Sequence, residues 1–173
     1  MVMLKSSIDK EETGLSTLAE FYIDEAKKVY YYNDGLIDKI KNNDDIEREK
    51  FSWQILILNT LGEKGTIYLE ENQFGGELSA KAMEFPLDNR KMILSNEEIA
   101  KIANDYIDDG SRIEEVYFIN YPISRMVTVV ATVKLDTEEL LFVTIEDVKY
   151  YNGMELGQVY TFDDIVDCMN SLD

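Results

Sequence analysis

From Val127 to Leu135 the chain alternates strictly: Val127, Val129, Ala131, Val133 and Leu135 fall on one side, and Thr128, Thr132 and Lys134 on the other. Only a pleated strand with one face turned to a core puts such a set together. Asp136-Thr137-Glu138 then reads as a turn, and Leu141, Val143 and Ile145 resume the alternation. Upstream, Val116 to Tyr121 has the aromatic and β-branched content of a strand, and Tyr121-Pro122 closes it. Three consecutive strands joined by short turns form an antiparallel meander over 113–149. Short turns are incompatible with the helical crossovers of a doubly wound parallel sheet.

Helix signals flank this meander. Ser95-Asn-Glu-Glu98 is a capping box, followed by Ile99, Ile102, Ala103 and Tyr106 as an inward stripe, with Gly110 as the stop. Thr161-Phe-Asp-Asp164 opens a terminal helix whose inner side carries Ile165, Val166, Met169 and Leu172. Near the N-terminus, Leu15, Leu18, Ala19, Tyr22, Ile23, Ala26 and Tyr30 recur at steps of three and four, which predicts a helix ended by Asn33-Asp34-Gly35. A short helix is expected at 36–42. A third helical pattern starts at Asp44-Asp45 and runs through Ile46, Phe51, Trp53 and Ile57 to Gly62. Its second half, Trp53 to Leu61, reads equally well as a strand turning at Gly62–Gly65. Thr66–Glu70 alternates as a strand and is expected to pair with 77–85. The expected fold is therefore α+β: an antiparallel β-meander packed with N- and C-terminal helices that lie over one face. It forms a single domain over 1–173, helical at about 1–62 and acidic α+β at about 95–173.

Composition removes whole classes of chemistry. The 173 residues include no His and one Cys. That excludes imidazole-based triads and dyads, His-ligated zinc, an intrachain disulfide and a four-cysteine metal site. Cys168 borders the inner stripe of the last helix, where a small buried hydrophobe is expected. Glycine spacing matches neither a phosphate loop nor a dinucleotide fingerprint, and no EF-hand loop fits around Gly35 or Gly110. No cofactor and no metal are expected. The N-terminus lacks the apolar core of a signal peptide, and no apolar run reaches the ~20 residues of a membrane span; the expected location is cytoplasmic.

The formal charge is −18, with 35 acidic and 17 basic residues. Residues 95–173 hold 17 acids against 5 bases, a net −12. Such a surface repels anionic lipid and phosphate, which argues against direct binding of nucleic acid or membrane. Six adjacent acidic pairs lie within this half: Glu97/Glu98, Asp108/Asp109, Glu114/Glu115, Glu138/Glu139, Glu146/Asp147 and Asp163/Asp164, each near an element end. Acidity serves solubility in many proteins. It also steers association with basic partners. Aromatic clusters, Tyr30-Tyr31-Tyr32 and Tyr150-Tyr151, are of a type enriched at interfaces.

In size and charge the chain is similar to small acidic inhibitors of phages and mobile elements, among them anti-restriction and anti-CRISPR proteins, some of which mimic DNA. The lysine-rich, isoleucine-rich composition fits a bacterial or phage source. That similarity implies a non-enzymatic inhibitor of a basic, nucleic-acid-processing protein. The expected contact residues are Glu97, Glu98, Asp108, Asp109, Glu114, Glu115, Glu138, Glu139, Tyr150 and Tyr151. One alternative is an immunity protein or antitoxin neutralising a cationic toxin. A second is a metal-dependent phosphodiesterase built on Asp136, Asp147 and Lys149, whose D…DxK arrangement suits Mg²⁺ and a reacting phosphate.

Overall fold

A computed structural model describes residues 21–71, 78–84, 93–123, 128–145 and 154–170. It is a mixed α/β fold with strands β1 (Phe21–Tyr31), β2 (Phe51–Asn59), β3 (Lys64–Glu71), β4 (Leu78–Glu84), β5 (Ile113–Tyr121), β6 (Thr128–Leu135), β7 (Leu140–Thr144) and β8 (Val159–Tyr160). Its three helices are α1 (Leu36–Lys41), α2 (Asn96–Tyr106) and α3 (Phe162–Asn170). The strand order is β4-β3-β2-β1-β5-β6-β7-β8. Two compact units divide the chain: 1–27 with 53–88, and 28–52 with 89–173.

In the larger unit the three strands expected over 113–149 pair antiparallel within 113–144, and 146–149 lie outside the described residues. β5 pairs antiparallel with β6 (Phe118↔Ala131), β6 with β7 (Val133↔Leu141) and β7 with β8 (Val143↔Val159). The end of β1 adds to β5 in parallel (Val29↔Phe118). Val129, Ala131 and Val133 are buried with Phe118, Leu141 and Val143 against Ile99 and Ala103 of α2, as their alternation requires; Val127 lies outside the described residues. The expectation of helices over one face is corrected. The opposite face is covered too, where Ile119, Tyr121, Val130 and Phe142 pack with Leu36 and Ile40 of α1 and Ile165 of α3. This second layer is why Thr128, Thr132 and Lys134 are also buried and β6 is enclosed along its whole length.

Both capping boxes form. The hydroxyl of Ser95 accepts from the Glu98 amide (3.2 Å), and the Glu98 carboxylate accepts from the Ser95 amide (2.8 Å). Thr161 and Asp164 repeat the arrangement at α3, at 3.3 and 2.8 Å. The stripe on α2 ends sooner than expected: Ile99 and Ala103 are buried, whereas Tyr106 is 54 % exposed. Between β7 and β8, the Gly157 amide donates to Thr144 O at 2.9 Å with φ +72°. The positive φ is what calls for glycine in this turn; a Cβ there would meet Ile102 Cδ1 at 3.3 Å, and that side chain would have to yield by a few tenths of an ångström.

The short helix expected at 36–42 forms as α1, whereas the helical reading of 21–31 and of 44–59 is corrected. Residues 21–31 form β1, and 42–50 form turns leading into β2, which settles Trp53–Asn59 as strand. Residues Leu15 to Ala19 of the proposed stripe lie outside the described residues. On β1 the aromatic and β-branched residues favour a pleated backbone, β2 and β5 flank it in the sheet, and its last amide, Tyr31, donates to Lys50 O just before β2 at 3.0 Å. Tyr30 is buried in the core and the half-buried Tyr32 packs against it, its ring 5.1 Å from that of Tyr121, while Tyr31 is half-buried with Lys50 over its ring.

In the smaller unit β3 and β4 form the expected antiparallel pair, Thr66↔Glu84 through Glu71↔Leu78. Leu56 and Ile57 of β2 are buried, and the Gln54 side chain donates to the Tyr68 hydroxyl at 3.2 Å. Asn59 organises the β2–β3 turn: its Oδ1 accepts from the amides of Leu61 (2.9 Å) and Glu63 (2.8 Å). Lys27, buried on β1, pairs with Glu25 at 2.7 Å.

Candidate functional site

Three of the acidic pairs lie near the β6–β7 turn. The Leu135 amide donates to Glu139 O (2.9 Å) around Asp136-Thr137-Glu138, and the Glu138 amide donates to Leu135 O (3.0 Å). Glu138 adopts φ +67°, a conformation that costs an L-residue roughly 1–2 kcal/mol and that such three-residue hairpin loops normally give to glycine. The turn is fastened to the start of β5: the Arg112 amide donates to Asp136 Oδ1 and the Asp136 amide to Arg112 O, both at 2.9 Å. Asp108 and Asp109, Glu114 and Glu115, and Glu138 and Glu139 therefore belong to one end of the sheet, and all six are exposed.

Beneath this end lies a charge that the alternation pattern assigned to solvent. Lys134 is 1 % exposed, and its ammonium donates to Asn43 Oδ1 and pairs with Glu114 at 3.4 Å. The register of β5 shifts between Ile113 and Glu115, which places the Glu114 carboxylate beside Lys134. Asn43 presents its oxygen from a left-handed turn after α1 (φ +57°), a conformation Asn tolerates well. The one sequence signal for this burial was the absence of any other charge between Thr128 and Leu135.

Several of the expected contact residues have structural duties. Glu98 caps α2. Asp109 accepts from the Ser111 amide at 2.8 Å, and hydrogen bonding to Ser111 holds its carboxyl below the ordinary range. Glu115 accepts from the Tyr117 hydroxyl at 2.5 Å; burial first, and then that bond and the nearby carboxylates, raise the Tyr117 phenol. Glu97 and Glu98 open α2, where the Leu94 amide donates to Ile145 O (3.1 Å), at the opposite end of β7 from the turn. The acidic end thus unites three of the pairs and excludes this one. Tyr150, Tyr151, Glu146, Asp147 and Lys149 lie outside the described residues.

Among the described residues no group of three or more acidic or cysteine side chains is arranged to hold a metal ion. Asp136 spends one carboxylate oxygen on the Arg112 amide. Cys168 is half-buried against the core, and its thiol is raised by burial and then by Asp164 and Asp167, the reverse of an activated nucleophile. No described helix is long and apolar enough to cross a membrane. No family model, no curated protein and no solved structure matches the chain.

Proposed function

We propose that the chain is a non-enzymatic acidic inhibitor that binds a basic, nucleic-acid-processing protein through the end of the sheet formed by residues 108–115 and 136–139. The anti-defence proteins of phages and mobile elements, including DNA mimics, are the class it fits by charge and size. The observation that carries the reading is the gathering of three exposed acidic pairs on a hydrogen-bonded frame, the Arg112–Asp136 tie. The strain at Glu138 supports it, because a glycine there would relieve the turn and discard a carboxylate. Carboxylates held on strand ends and a short turn keep their spacing without ordering long loops, which favours rapid, salt-sensitive capture of a cationic surface.

The test is retention of proteins from a bacterial extract on the immobilised chain, compared with a variant carrying Asp108→Lys, Glu138→Lys and Glu139→Lys. These positions are chosen because Glu114 and Asp109 support the fold. The expected result is a nucleic-acid-binding protein held at ~0.1 M salt, where the screening length is ~10 Å, and released as salt rises. The variant should lose it. Equal retention by both chains, or indifference to salt, overturns the reading. Capture of a cationic toxin would move the chain to the antitoxin class, and metal-dependent cleavage of DNA or RNA by the purified chain would overturn the non-enzymatic assignment.

A further inference from the structure

We draw no further inference here: the strongest candidate, the cluster of exposed carboxylates where β5 begins and β6 turns into β7, belongs to the site already proposed, and among the described residues no unpartnered buried polar group beside it points to a second ligand.

Discussion

Lys134 carries its charge on a side chain that water does not reach, while its partner Glu114 keeps about half of its side chain in solvent (49 % exposed). The two ends of this pair are therefore unequal. Glu114→Gln keeps an acceptor oxygen but removes the negative charge that compensates the buried ammonium, and a cost of roughly 2–4 kcal/mol is expected. Lys134→Met fills the same space without a charge and lets Glu114 turn to water, so a smaller loss of about 1 kcal/mol is expected. Chemical denaturation of both single variants and the double variant measures this. A larger loss for Lys134→Met would show that the lysine, rather than the burial of its charge, dominates. Glu138 sets up the opposite experiment: Glu138→Gly should raise stability by about 1 kcal/mol by removing left-handed strain, and should weaken partner retention. Greater stability with unchanged retention would remove Glu138 from the interface. Sequence reading found Glu138 as a turn acid but missed Lys134, because alternation identifies two faces and does not say whether the second is covered.

At the scale of elements, legibility followed the range of the signal. Capping boxes are read within four residues, and both formed where Ser95 and Thr161 placed them. β6 and β7 were readable from alternation, and β5 from its aromatic and β-branched content and the Tyr121-Pro122 stop. β1 was not: its parallel partner β5 lies far along the chain, and its apolar spacing satisfies the helical step as well as the pleat. The cap on α3 offers a test with a defined sign. The Thr161 hydroxyl and amide hold the Asp164 carboxyl below the ordinary value, so the folded state favours the ionised form. The stability this contributes is present above the unfolded pKa near ~3.9 and is lost as pH falls through the lower folded value. Thr161→Ala should cost about 1 kcal/mol at pH 7. The difference between the wild type and Asp164→Asn should shrink as the pH falls below about 4. A difference constant from pH 7 to pH 3, read by thermal melts, would show that the carboxylate plays no part in the cap.

Taken as a whole, the molecule pays for its surface in self-repulsion, with −18 formal charges on 173 residues and −12 of them in residues 95–173. Two like charges ~10 Å apart in water repel by ~0.4 kcal/mol, and such pairs multiply at the acidic end of the sheet. Raising salt from ~0.01 to ~0.1 M shortens the screening length from ~30 to ~10 Å, which silences these medium-range terms. It leaves the closest contacts, such as Lys39 with Glu49 and Lys27 with Glu25, much less affected. The melting temperature should therefore rise with salt over this interval. The variant with Asp108→Lys, Glu138→Lys and Glu139→Lys, each reversal moving the charge by two units, should start from a higher melting temperature at low salt and respond less. Partner binding should move the other way, weakening as salt rises. Opposite slopes for folding and for binding, measured on the same protein under the same buffers, are what an acidic surface selected for a basic partner requires. A melting temperature that falls with salt would show that attraction outweighs repulsion across the surface, and the charge would then need no partner to account for it.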